Sequence, residues 1–171
     1  MARSLMIASP YDNDCLNMIA NYEKSNNLDG TITKQLIRIR AVTEESMYEK
    51  SNMTSNEINQ FVFLRDGNKL VAGCHFQGYR DLRDAYLSIL PSTSSRMTAN
   101  LLQYATTYAF EGLGMEQVFA EIDNHDEKNA TALIDANFES LGPEGKKTQF
   151  MIEKGNYVMT EGLQNGNSKK H

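Results

Sequence analysis

Residues 112–142 read GLGMEQVFAEIDNHDEKNATALIDANFESLG, and this stretch decides the fold. Leu113–Gly114 ends a preceding helix, because glycine takes the positive-φ conformation that stops helices without steric cost. Val118, Ala120 and Ile122 alternate with Phe119, Glu121 and Asp123, a period of two that predicts a strand with one apolar face. From Ala130 the spacing turns helical: Ala130, Leu133, Ile134 and Asn137–Phe138 recur at three and four residues. Asn137 falls where that helix must stop, and asparagine is the non-glycine residue best suited to a left-handed cap. A strand then starts on Phe138 and runs through Leu141. It turns over Gly142-Pro143-Glu144-Gly145 into a last strand, Thr148–Glu153.

Working outward, Ser4–Ala8 is predicted as a first strand closed by Pro10. Asp12 or Asn13 caps a helix carrying Leu16, Ile19, Ala20 and Tyr22 to about Lys24. Ser25–Gly30 is a turn. Ile32, Leu36, Ile39 and Val42 follow at helical spacing, although the local IRIR alternation leaves a strand open. Ser46–Asn59 is polar and is expected to pass over the surface. Phe61–Leu64 and Leu70–Phe76 flank Asp66–Gly67, a strong hairpin signal because a primed turn needs positive φ at its centre. Ala85–Leu90 is a further strand, and Arg96–Glu111 the longest helix, with Leu101, Leu102, Ala105, Tyr108 and Ala109 on one face. From Gly155 to His171 the chain is too polar to bury a core and is expected to be a disordered tail, leaving one domain over residues 1–154.

The resulting order β, α, α, β, β, β, α, β, α, β, β resembles the GCN5-related N-acetyltransferases. In that family the late strand and its helix end in Gly-Phe, and Asn137–Phe138 holds that place here. The resemblance covers roughly Asn59 to Glu153. It implies an α/β fold with a central, mostly antiparallel mixed sheet flanked by helices. It also implies transfer of an acetyl group from acetyl-CoA to a primary amine of a small molecule or peptide. By the same resemblance the pyrophosphate of CoA would sit on the loop and helix start after the fourth strand, which assigns cofactor contacts to Leu90, Ser94, Ser95, Arg96, Met97, Thr98 and, on the next helix, Asn129. The family's glycine-rich loop has no glycine here, and the tyrosine that often serves as acid falls near Leu133. Hydroxyls of Thr93, Ser94, Ser95 and Thr98 with the Arg96 guanidinium can replace glycine amides as phosphate donors; equally, Ser94 or Ser95 can simply cap the helix. Loss of the cofactor loop would instead make the chain a non-catalytic binding or regulatory protein on the same scaffold.

Candidate general bases are Glu121, opposite in parity to Val118, Ala120 and Ile122, and Asp84 at the start of its strand. Either carboxylate can also be no more than solvated or ion-paired. His75, between apolar neighbours, reads as a sheet-face residue before it reads as a catalyst, and His125 lies in the polar DNHDEKN loop. With a net charge of −5 and a pI near 5.2, broad binding to nucleic acid or anionic membrane is disfavoured. No run approaches the 18 apolar residues of a membrane span, and no metal-ligand spacing occurs. Cys15 and Cys74 stand apart from any CxxC or His/Cys cluster, so both read as buried thiols, in keeping with a cytoplasmic setting. Association into a homodimer is left open.

Overall fold

The computed structural model describes residues 3–48, 56–92 and 94–157. Its elements are β1 (Arg3–Ile7), α1 (Asn13–Ser25), α2 (Thr31–Tyr48), β2 (Glu57–Asp66), β3 (Lys69–Tyr79), β4 (Asp84–Ile89), α3 (Ser95–Thr107), β5 (Gln117–Asp123), α4 (Glu127–Asp135), β6 (Glu139–Glu144) and β7 (Lys147–Glu153). Among the described residues, seven strands form a single sheet in the order β1-β2-β3-β4-β5-β7-β6. Every pair is antiparallel except β4 with β5, which run parallel and are joined through α3. The predicted α/β class with a mostly antiparallel mixed sheet is the one observed.

The alternation of β2 and β3 feeds two cores, and that of β4, β5 and β7 feeds one of them. Val62, Leu64, Cys74, Phe76, Ala85, Leu87, Val118, Ala120 and Ile122 lie in the cluster that contains Leu101, Leu102 and Ala105 of α3 and Leu133 of α4. The other face buries Phe61 and Phe63 against Cys15, Ile19 and Tyr22 of α1 and Ile32 and Leu36 of α2. The Ile32–Leu36 spacing of four settles the IRIR ambiguity as helix. The pair α1–α2 covers the β1–β3 side of its face, so Tyr86, Phe119 and Glu121 further along the sheet face outward.

Several boundaries differ from those predicted, each for a local reason. β2 begins at Glu57, inside the stretch expected to be loop, because Glu57 and Ile58 pair with Tyr79 and Gly78; the rest of that stretch, 49–55, lies outside the described residues. Asp66 pairs with Lys69, so the hairpin turn centres on Gly67–Asn68, with Gly67 at φ 66°, the position where a type II′ turn takes glycine. Gly142 (φ 96°) forms a bulge instead of opening a turn, and β6 continues to Glu144 as an edge strand, where proline is tolerated. α3 gives way at Tyr108–Gly112 to one turn of π-helix. There the hydroxyls of Thr106 and Thr107 donate back to the carbonyls of Leu102 and Gln103, and the Tyr108 ring packs where a side chain at Gly112 would stand. α4 starts three residues earlier than its apolar spacing, at the cap supplied by Asp126, and leaves Ile134 exposed. Gly155–Tyr157, assigned to the tail at the sequence level, packs on the domain: the Tyr157 ring lies against Phe110 with centroids 5.3 Å apart and planes tilted by 39°, and its hydroxyl donates to Glu111. Residues 158–171 lie outside the described residues.

Candidate active site

The single parallel pair sets the geometry of the site. β4 and β5 are in register from Asp84↔Gln117 to Leu87↔Ala120. Both strands then run on, to Ile89 and Asp123, without pairing to each other, so the sheet splays open at its centre. On the β3 side β4 stays paired to its end, and the Leu90 amide donates to the Gly73 carbonyl at 2.9 Å. Since successive residues of a strand direct their N–H and C=O to opposite edges, Ile89 directs its amide to the β5 side, into the gap, where it has no strand partner.

Beyond the gap the chain is fastened before α3 begins. Tyr22 of α1 donates its hydroxyl to the Pro91 carbonyl, and Ser92 Oγ lies 3.0 Å from the Val71 carbonyl while accepting from the Ser94 amide at 3.2 Å. Lys128 of α4 donates to the Ser92 carbonyl at 3.2 Å, which brings an ammonium group to the mouth of the loop. Ser94 is the N-cap of α3, its Oγ accepting from the Met97 amide at 3.2 Å. Thr98 is buried and its hydroxyl returns to the Ser94 carbonyl at 3.2 Å, while Met97 packs toward the core. The amides of Ser95 and Arg96 have no partner among the described residues, and the Arg96 side chain is exposed. Thus, of the cofactor contacts expected by resemblance, the structure brings Ser95 and Arg96 to the helix mouth as donors still available. Ser94 and Thr98 have hydroxyls already engaged, and Leu90 has its amide engaged. Thr93 lies outside the described residues. Asn129 is in the first turn of α4, where its Nδ2 donates to Asp126 Oδ2 at 2.9 Å.

Of the two carboxylates, Glu121 lies on the exposed face at the level where the splay opens, accepting from Gln149 Nε2 at 2.8 Å. Asp84 is on the same face but at the opposite end of the paired segment. Leu133 is fully buried and has no part in proton transfer. His75 is in register with Ser88, stacks on Phe61 with centroids 4.1 Å apart, and has Nε2 2.6 Å from Asn59 Oδ1; burial holds its pKa below the usual value. Two features escaped sequence reading: the Ile89 amide and the ammonium of Lys128. The first was legible from the parity of the segment YLSIL once its pairing edges are known; the second depends on a long-range approach that spacing does not encode.

No protein-family model matches the sequence, and the search of curated proteins returns no match. Solved structures do match over most of their length. The ribosomal-protein-S5-alanine acetyltransferase of Vibrio fischeri superposes with a TM-score of 0.67 at 10% identity, over 92% of this chain and 96% of that one. The spermidine N-acetyltransferase of Vibrio cholerae, in complex with CoA and spermine, gives 0.60 at 12% identity, over 90% and 97%. The Campylobacter jejuni N-acetyltransferase PseH, in complex with acetyl coenzyme A, gives 0.58 at 10% identity, over 90% and 99%. The chain therefore has the fold of the GCN5-related N-acetyltransferases.

Proposed function

We propose that this protein is an N-acetyltransferase of that family, transferring an acetyl group from acetyl-CoA to a primary amine of a small molecule or peptide. The observation that carries this reading is the splay of β4 from β5, with the Ile89 amide turned into it and the start of α3 at its end. Acetyl-CoA supplies the activated acyl group. Ile89 N–H is the donor placed to polarise the acyl carbonyl, a role that backbone amides fill at little reorganisation cost. Ser95, Arg96 and the first-turn amides of α3, with Lys128 beside them, hold the phosphates. Glu121 accepts the proton that the amine loses as its nitrogen bonds to the acyl carbon, and the sulfur leaves as thiolate to be protonated from solvent. Two buried free thiols, Cys15 and Cys74, suit a reducing, cytoplasmic setting.

The glycine-free loop, with the hydroxyls of Ser94 and Thr98 already engaged, favours a second reading: a non-catalytic protein on the same scaffold. Calorimetric titration with acetyl-CoA and with free CoA separates the two. The enzyme reading expects binding, and expects Arg96→Ala to weaken it by about 1.5–3 kcal/mol through loss of a charge-assisted contact. At a hundredfold excess over Kd the ligand should add about 2.7 kcal/mol of apparent stability. Absence of both binding heat and thermal shift at millimolar acetyl-CoA would reject the enzyme reading.

A further inference from the structure

On the open half of the sheet, Tyr86 of β4 and Phe119 of β5 face each other across the parallel pair, with ring centroids 5.3 Å apart and planes inclined by 23°. Tyr86 is 59% exposed. The other outward positions of these strands, Asp84, Ser88, Gln117 and Glu121, are polar, so the two rings form a local aromatic platform on a hydrophilic face. With Ser88, Glu121, Lys147 and Gln149 they line a cleft of about 390 Å³ that runs up to the splay. Its lining carries one carboxylate, Glu121, and one ammonium, Lys147, with further carboxylates at its rim. Gln149 donates one amide to both Glu121 (2.8 Å) and Glu144 (3.2 Å), holding two carboxylates side by side without neutralising either. Lys147, the cation of this corner, is committed to Asp123 at 2.9 Å. Asp84 lies on the same face two residues before Tyr86, in an adjoining hollow that shares the Tyr86 ring with this cleft.

We infer that this cleft binds the acceptor, and that the acceptor is a linear dication: an α,ω-diamine or a longer chain of that chemistry. The carboxylates attract cations through charge, and the ring pair between them offers an apolar surface to a methylene chain. An anion is disfavoured by the carboxylates, and a neutral chain would leave them unused. The spacing selects for length as well as sign. Glu121 is four residues beyond Gln117, the partner of Asp84, a rise of about 13 Å along the strands. One ammonium group at Glu121 stands beside the splay for transfer, the methylene chain crosses Phe119 and Tyr86, and the second ammonium reaches Asp84. The assignment of one amine as the acylated group rests on the acetyltransferase reading; the binding itself does not.

The test is calorimetric titration of the whole chain, without CoA, using diaminooctane, octylamine and octanol as probes. Diaminooctane is expected to bind at least tenfold more tightly than octylamine, with an affinity that falls as salt rises, and octanol to give no heat. Tyr86→Leu should weaken diaminooctane at least fivefold, whereas Tyr86→Phe, which keeps the ring, should bind as wild type. Asp84→Asn should reduce diaminooctane toward the octylamine value and leave octylamine unchanged, a split that misfolding would not produce. Equal affinities for diaminooctane and octylamine, or a Tyr86→Leu variant that binds as wild type, would overturn the inference. So would sedimentation showing that Tyr86→Leu dissociates a dimer while diamine binding is unaltered, since the platform would then serve a second copy of the chain. A parallel thermal-shift measurement with acetyl-CoA keeps the two readings separable. Diamine binding without any acetyl-CoA response defeats the enzyme reading alone, and the converse defeats this one alone.

Discussion

Glu23 offers a direct test of how α1 and α2 are joined. It is 3% exposed, and its two carboxylate oxygens accept from the Ile32 amide at 2.6 Å and the Thr33 hydroxyl at 2.7 Å. Both donors belong to the first turn of α2, where the leading amides have no intrahelical acceptor. The residue ahead of the helix is Gly30 at φ 75°, which has no side chain to offer, so the acceptor comes from the neighbouring helix. Hydrogen bonds to a charged group contribute about 1.5–3 kcal/mol each, and the helix start favours negative charge by about 0.3–1 kcal/mol. Glu23→Ala removes both bonds and strands a buried N–H, so a loss of about 3 kcal/mol is expected. Glu23→Gln retains one carbonyl oxygen and should lose about half as much. Urea denaturation followed by far-UV circular dichroism gives the numbers, provided that the slope with denaturant is unchanged. An alanine variant within about 0.5 kcal/mol of wild type would show that water or a shifted backbone replaces the carboxylate, and the cross-helix cap would be refuted.

A methyl group at Gly73 would stand 2.7 Å from two atoms of the buried Phe63 ring and 2.9 Å from Leu90 Cδ1, so Gly73→Ala should cost about 1–3 kcal/mol; an unchanged urea midpoint would contradict that packing. Asn137 has φ 73°, where glycine is favoured, but its Nδ2 also donates to the Asn156 carbonyl at 3.0 Å, so Asn137→Gly should stay within about 1 kcal/mol of wild type and Asn137→Ala, which loses the same bond, should cost more, while Phe138→Ala should cost about 3–5 kcal/mol; an alanine variant as stable as the glycine variant would rule out the left-handed cap. Burial lowers the His75 pKa from its usual 6.5, so the folded protein binds fewer protons than the unfolded chain in this range. The resulting stability is present above 6.5 and is lost as the pH falls through 6.5 toward the folded value; His75→Gln should flatten that loss, and an NMR titration placing His75 at or above 6.5 would contradict it.

The elements were legible because their signals are local. The alternation of Val118, Ala120 and Ile122, the shift to helical spacing at Ala130, and the cap at Asn137 each depend on residues within a turn or two. The ends of elements were less so, since Glu57 becomes strand through pairing with Tyr79, and α3 changes to a wider turn through hydroxyl contacts and the close fit of Tyr108 to Gly112. The candidate site was legible in chemistry but not in geometry. Parity places Glu121 on an outward face, yet nothing in the sequence says that the paired segment ends at Leu87↔Ala120, which puts Glu121 and Asp84 at opposite ends. Likewise Ser94 and Thr98 are suitable phosphate donors by residue type, and only the structure shows their hydroxyls engaged in holding the start of α3.

The short parallel contact also has a mechanical meaning. Four residue pairs between β4 and β5, with the Glu116 and Gln117 amides donating to the Arg83 carbonyl just before them, join a four-stranded half of the sheet to a three-stranded half. A sheet pulled apart would part there first. Any molecule seated in the open end of that seam acts as a rivet, so amide hydrogen exchange in β5 and β7 is where its arrival should register, well away from the atoms it touches.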